Sequence, residues 1–486
     1  MTKNDIAIAG QRMDDQDVPL CVELDGALIR STALTEGFLR LAKFNLLASL
    51  AAPLWRLRGR ATLNAEIARR ANLDPASLPY NEDLLAWLRS ERDRGRRLVL
   101  CTSANEIVAE RIAHHLGIFD EILSSTDKVS FSGSHRAAEL QARYGKAGFD
   151  FVGGGSADVP VWQVARRAII AAPTPALRRS LQGVVTVERE FATAGGGVKV
   201  WLRAMRVHQW AKNVLIFVPA LVSHRATELP VIQAALLAFL SFGLCASATY
   251  IINDLLDLDA DRAHARKRSR PFASGQLSLV GGLFCALGLL ATGVGIAVLA
   301  LNFWFLASLL LYLAITFWYS WALKRIAMVD VLTLAALYTI RVIAGSAAIA
   351  VEPSFWLLAF SMFMFLSLAL VKRYTELHAA FSAGRVEASG RGYTTADLAL
   401  LLSCGTSSGF ISVLVLALYV NSGSESLYRY PQALWLLCPL MLYWICRVWL
   451  KTHRGQLHDD PVVFAIKDRP SLATAVLCVT LVLLAT

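Results

Sequence analysis

The sequence predicts a soluble α/β domain followed by an α-helical integral membrane bundle of about nine transmembrane helices. Three observations carry that expectation. The 486 residues are 55% hydrophobic and only 17% charged, too apolar for a soluble chain of this length. The apolar content is uneven: charge and apolar residues mix up to about Val200, and long apolar runs alternate with short basic loops from about Val207. Within the first part, short apolar strands are each followed by a polar loop and a helical pattern, which suggests a parallel sheet. The expected organisation is an N-terminal tail (1–17), an α/β domain (18–195) and a membrane domain (196–486).

A span needs about 20 mostly apolar residues. The candidates are 208–224, 230–252, 278–300, 303–322, 329–350, 354–371, 397–420, 431–449 and 470–486, with a tight hairpin at Leu301-Asn302 separating the third from the fourth. One set of loops carries sixteen bases: Arg262, Arg266, Lys267, Arg268, Arg270, Lys324, Arg325, Lys372, Arg373, Arg385, Arg391, Arg447, Lys451, Arg454, Lys467 and Arg469. The opposite set carries two, Arg225 and Arg429. Basic loops face the cytoplasm, and the first twenty residues do not form a secretory signal, so the N-terminal domain is expected there too. The formal charge of +11 is thus topological, and no basic-aromatic interleaving points to nucleic acid. Eight cysteines lie scattered, with neither a CxxC nor a Cys/His cluster, so no zinc site or disulfide framework is indicated.

The second span ends in Asn253-Asp254-Leu-Leu-Asp257-Leu-Asp259-Ala-Asp261. Spacings of 1, 3 and 4 put Asn253, Asp254, Asp257 and Asp261 on one helical face. Carboxylates so grouped repel unless a cation sits among them. A solvated helix end is the bland reading, and hard-cation binding is the sharper one. Carboxylates with an amide oxygen suit Mg²⁺, which bridges to substrate phosphates. Lys267 and Arg270 follow within His264-Ala-Arg-Lys267-Arg-Ser-Arg270-Pro271, where bases can take phosphate oxygens the metal leaves free.

This segment resembles the first aspartate-rich motif of the UbiA superfamily of intramembrane transferases, and within it the branch of polyprenyl-phosphate (decaprenyl-phosphate) phosphoribosyltransferases. The likeness extends over Arg206-Val-His-Gln-Trp210-Ala-Lys212-Asn213, Tyr319 to Arg325, Asp330 to Gly345, Lys372 to Leu377, and Asp459-Asp460-Pro461 through Pro470. It implies a nine-helix bundle with a central cavity and, as catalytic residues, Asp254, Asp257, Asp261, Lys267 and Arg270. Most aromatic prenyltransferases of the superfamily carry a second acidic motif after the sixth span. Here that place reads Lys372-Arg373-Tyr374-Thr375-Glu376, which suits an unchelated phosphate better than a second metal. Arg341 lies eleven residues past Asp330, about 16 Å along a helix, a depth at which ionisable residues usually face a cavity; a bundle salt bridge near Asp330 is its structural alternative. Lys212 and Asn213 join the candidate substrate-binding set with Arg341, Lys372, Arg373 and Glu376, although Lys212 could be a snorkelling anchor.

The expected reaction is Mg²⁺-dependent transfer of 5-phosphoribosyl from phosphoribosyl pyrophosphate to a polyprenyl phosphate at the cytoplasmic face of a bacterial inner membrane, with diphosphate released. The alternative keeps the metal site and moves a prenyl group from a prenyl diphosphate to an aromatic acceptor. A lipid-binding scaffold is disfavoured by the intact motif. A homo-oligomer is compatible with this pattern.

The N-terminal domain resembles the haloacid-dehalogenase (HAD) superfamily, a Rossmannoid fold whose first motif is DxDGT, with residues 32–80 as a helical cap. It departs where the resemblance would place chemistry. Glu23 stands at the nucleophile position, one methylene longer than aspartate, displacing the attacking oxygen by about 1 Å. Asp25, Thr102 or Ser103, and Asp158 remain, while Arg136 falls near the usual lysine and Gly154 at a magnesium-ligand position. A degenerate, non-catalytic domain is expected.

Overall fold

In the computed structural model, residues 17–191, 196–384, 392–422, 428–457 and 460–485 are described. Most of the N-terminal tail, Arg385, Arg391 and Asp459 lie outside them. The described chain divides into two compact units. One runs up to Ala204 and includes Ile252–Phe284; the other comprises Met205–Ile251 and the chain from Cys285 onward.

The first unit is built on a six-stranded sheet in the order β3-β2-β1-β4-β5-β6. The strands are β1 (Leu20–Glu23), β2 (Leu98–Asn105), β3 (Glu121–Ser125), β4 (Asp150–Gly153), β5 (Arg167–Ile170) and β6 (Thr186–Glu190), all parallel. Alternation explains why the inner strands are apolar throughout. Leu20, Val22, Leu98, Leu100 and Val152 pack on one face, and Cys21, Val99, Cys101 and Phe151 on the other. Both faces of a parallel sheet are covered, so neither can be polar. Between β1 and β2 lies the expected cap, opening with α1 (Ala33–Phe44), which Thr32 caps by accepting from the Thr35 amide. Short helices Leu46–Ser49 and Ala52–Leu57 and a longer one, Arg60–Ala71, complete it.

The spanning helices are α2 (Leu229–Leu256), α3 (Leu279–Ala300), α4 (Phe303–Trp321), α5 (Val329–Ala348), α6 (Phe355–Ser382), α7 (Leu398–Ser422) and α8 (Leu437–His453), followed by α9 (Arg469–Ala485). Seven helices among the described residues are long and apolar enough to cross a membrane, α8 being counted with the 3₁₀ turn Pro431–Leu436 that leads into it; α9, with 17 residues, is shorter. The chain is a multi-pass membrane protein. Asn302 separates α3 from α4 by accepting the Phe305 amide at 3.0 Å, as the hairpin predicts.

The expected span 208–224 is not one helix. It is a 3₁₀ segment, Val207–Phe217, followed by the short helix Val218–Val222. Packing accounts for the difference in the second unit. A Cβ on Gly345 would stand 2.2 Å from the carbonyl oxygen of Ile216, so α5 and the 3₁₀ segment touch backbone to backbone. That approach brings Asn213 to α5.

Candidate functional site

In the first unit, α2 ends at Leu256 and a new helix starts at Leu258, with Asp257 at the junction (φ −101°, ψ 17°). Asn253, Asp254, Asp257 and Asp261 therefore do not share one continuous helical face, as their spacing predicts. The break rotates Asp257 outward and turns Asp261 back: Asp254 and Asp261, 3% and 2% exposed, both accept from Arg270 Nη1, at 3.1 and 2.6 Å. Two buried carboxylates are thus held together by one partly exposed guanidinium. Asp257 faces Lys43 of α1 at 3.2 Å. Lys267 is exposed on a 3₁₀ turn. Among the described residues, no three His, Cys, Asp or Glu side chains stand close enough to hold a metal ion. The donor chemistry nevertheless fits Mg²⁺: hard carboxylate oxygens, two of the groups buried and sharing a single, partly exposed guanidinium.

A charge ladder ties this segment to the cap. Glu36, Arg40 and Lys43 lie at spacings of 4 and 3, on one stripe of α1. They meet Arg262 (2.8 Å), Asp259 (2.5 Å) and Asp257 (3.2 Å) in turn. Ser77 adds a bond to Asp259 at 3.4 Å and offers its carbonyl to Arg262 at 3.2 Å.

The second unit holds a cationic cluster. Lys212 Nζ lies 2.7 Å and Lys372 Nζ 3.6 Å from Asp460 Oδ2, and the Tyr338 hydroxyl donates to Oδ1 at 3.3 Å. Burial would raise the Asp460 carboxyl, but the charges of Lys212 and Lys372 outweigh it and hold the group down at about 2. Arg341 is 5% exposed and makes no ion pair among the described residues. The salt-bridge alternative near Asp330 does not form. Arg341 donates instead to Asn213 Oδ1 at 3.0 Å and to the Tyr312 hydroxyl at 3.2 Å. Its guanidinium and the Lys212 ammonium both lie 5.6 Å from the centre of the Tyr338 ring. The buried Asn213 Nδ2 has no partner among the described residues. Three bases and one carboxylate, beside that amide donor, leave a net positive charge that an anion could compensate.

Two predicted binding residues are committed elsewhere. Arg373, 2% exposed, is locked to Asp330, Glu376 and the Tyr319 hydroxyl (3.0 Å), with Tyr393 on Asp330's other oxygen at 2.5 Å. An Arg-carboxylate pair so enclosed holds helices together, and Glu376 serves it. Asp460 and Tyr338 are the additions that sequence reasoning missed. Asp460 sits in a stretch that carried the resemblance, but nothing local distinguishes it from a helix cap, which it also is: it accepts from the Val462 amide at 3.2 Å.

In the N-terminal unit, the expected HAD-type positions surround a cavity of about 550 Å³ at the ends of β1, β2 and β4. Glu23 is fully engaged. One oxygen accepts the amides of Leu24 and Asp25 at 3.0 and 3.2 Å, and the other is bridged by Arg136, which also reaches Asp158 at 3.4 Å. Ser103, not Thr102, lines the cavity, donating to Asp25 at 3.3 Å; the Thr102 hydroxyl is turned to the Ala104 amide at 3.1 Å. Asp158 accepts the amides of Gly154 and Gly155 at 3.0 and 3.1 Å. A Cβ on Gly154 would lie 2.0 Å from the Gly26 carbonyl oxygen, so no side-chain ligand fits at that position. Burial pushes the Asp25 carboxyl up to about 6, against the Ala33 amide and Ser103.

Residues 19–161 match the haloacid dehalogenase-like hydrolase model, in accord with the sheet and cap, and residues 214–467 match the UbiA prenyltransferase family. The chain is 37% identical over 476 residues to the uncharacterized protein y4nM of Sinorhizobium fredii, covering 96% of this chain and 91% of that one. It is 36% identical to the nodulation protein NoeC of Azorhizobium caulinodans over 56% of this chain and 88% of the relative. It is 34% identical to the decaprenyl-phosphate phosphoribosyltransferase of Mycobacterium tuberculosis over 40% of this chain and 67% of the relative. With more than half its length matched and an aspartate-rich helix end in place, this HAD-fronted membrane transferase belongs to the UbiA prenyltransferase family.

Proposed function

We propose that the chain transfers 5-phosphoribosyl from phosphoribosyl pyrophosphate to a polyprenyl phosphate, at the cytoplasmic face of a bacterial inner membrane. The excess positive charge of the second unit is the observation that carries this reading. Lys212 and Lys372 share one carboxylate, Asp460, while Arg341, across the Tyr338 ring from Lys212, and Asn213 Nδ2 are buried donors that meet no anion among the described residues. Buried charge is costly without compensation, and a phosphate monoester supplies it. A prenyl diphosphate reacting with an aromatic acid brings, beside the metal-chelated diphosphate, one carboxylate and no further phosphate. Phosphoribosyl transfer brings two further phosphates, the 5-phosphate and the lipid phosphate.

In this reading Asn253, Asp254, Asp257 and Asp261 would hold Mg²⁺, whose charge when bound neutralises the departing diphosphate. Arg270 keeps Asp254 and Asp261 in register and remains reachable for a phosphate oxygen. A lipid phosphate oxygen attacks the anomeric carbon as the bond to diphosphate breaks. No general base is needed, because that oxygen is already anionic. The domain assignment follows: 196–486 carries the transfer, and 18–195 is a phosphatase-like domain without hydrolytic activity, since both oxygens of Glu23 are engaged.

The test incubates membranes containing the protein with radiolabelled phosphoribosyl pyrophosphate, Mg²⁺ and a polyprenyl phosphate. A labelled lipid that disappears in Asp254→Asn is expected. If only a prenyl diphosphate and an aromatic acid react, the proposal falls and aromatic prenyl transfer replaces it.

A further inference from the structure

The cap carries a surface that neither its own core nor the transferase reading explains. Leu41, Trp55, Ile67 and Ala71 form a small cap core. The large apolar side chains around Trp55 point away from it: Phe44, Leu46, Leu47, Leu50, Leu54 and Leu57 are all at least half exposed, Leu47 at 82% and Leu57 at 85%. Six such residues within fourteen positions form a contiguous apolar ridge, where a soluble domain exposes apolar residues singly.

Charge complementarity decides what covers it. No acid occurs between Glu36 and Glu66, while Arg40, Lys43, Arg56, Arg58 and Arg60 flank the ridge. Arg40 and Lys43 are paired with Asp259 and Asp257, but Arg56, Arg58 and Arg60 are exposed. A short helical segment with an apolar ridge and exposed bases at its border matches an anionic lipid surface, with side chains reaching the acyl boundary and bases at the headgroups. Position is the second, independent argument. Lys43, directly before Phe44, pairs with Asp257, the residue directly after the spanning helix α2 ends. The ridge therefore begins beside the end of a spanning helix, a few residues past the expected span 230–252.

We propose that residues 44–57 are an interfacial membrane anchor that seats the cap of the HAD-like domain in an anionic phospholipid leaflet. This does not depend on which group the enzyme transfers. In the full chain reconstituted into phosphatidylglycerol-containing vesicles, p-benzoylphenylalanine is placed at Leu47 or Leu57, and at Val129, an exposed apolar position outside the ridge. Irradiation should yield phospholipid adducts at 47 and 57 about ten-fold above those at 129. Adducts to a second copy of the chain or within the same chain, equal lipid labelling at 129, or no lipid adduct at all would each overturn the anchor.

Discussion

The first unit contains the same arrangement twice, an arginine between two buried carboxylates, with opposite prospects. Arg270 joins Asp254 to Asp261, and Arg136 joins Glu23 to Asp158. The carboxylates are alike in burial, but the Arg270 side chain is 30% exposed and that of Arg136 only 2%. A guanidinium at a helix end can leave for a phosphate or give way to a metal. One sealed beneath the sheet edge cannot leave without stranding Glu23. The comparison teaches that an ion pair in a motif is read by how easily its cation departs.

The largest effect should come from the displaceable site. Asp254→Asn or Asp261→Asn removes one of the two buried carboxylates and is expected to lower transfer by about 10²–10³-fold, several kcal/mol of charge stabilisation, in a labelled-lipid assay. The fold should survive, because Arg270 keeps the other carboxylate. Arg341→Lys comes next. A lysine keeps the charge but loses the planar donors that reach Asn213 and Tyr312, and a loss of about 10–100-fold is expected, chiefly in KM for the anionic substrates. An unchanged KM would detach Arg341 from phosphate binding.

At the locked site the expectation reverses. Glu23→Asp restores the usual nucleophile yet should release no phosphate from p-nitrophenyl phosphate, since Arg136 and Gly154 remain. Gly154→Ala, forced against the Gly26 carbonyl, should lower the stability of the first unit by about 1–3 kcal/mol, read as a shift in its thermal unfolding. Phosphate release by Glu23→Asp alone would make the second site dormant rather than locked.

Legibility in the sequence followed range. The strands around Cys21, Cys101 and Phe151, the cap, the acidic motif and the break at Asn302 all announce themselves within a dozen residues. What escaped is long-range. Lys43 and Asp257 are 214 positions apart, and Lys212 and Asp460 are 248 apart. No local signal pairs them. Arg373 looks like a phosphate ligand in a basic loop until Asp330 claims it. Residues 208–224 have the hydropathy of a span, but hydropathy is blind to the Gly345 contact that holds the segment in 3₁₀ form.

The smallest effect separates the two sites by pH. Asp25 lines the locked cavity with its carboxyl pushed up to about 6 by burial, against an ordinary value of 3.8. Between pH 4 and 6 the unfolded carboxyl has lost its proton while the folded one keeps it, so the native state binds more protons. Stability then falls as pH rises through that window and levels off above it. Asp25→Asn cannot ionise. Apart from a constant offset, its melting temperature should gain on the parent from pH 4 to about 6.5 and hold the gain beyond. A parallel pair of curves would mean that Asp25 ionises freely, and hence that water, a cation or the charge of Arg60 on the cavity wall offsets its burial.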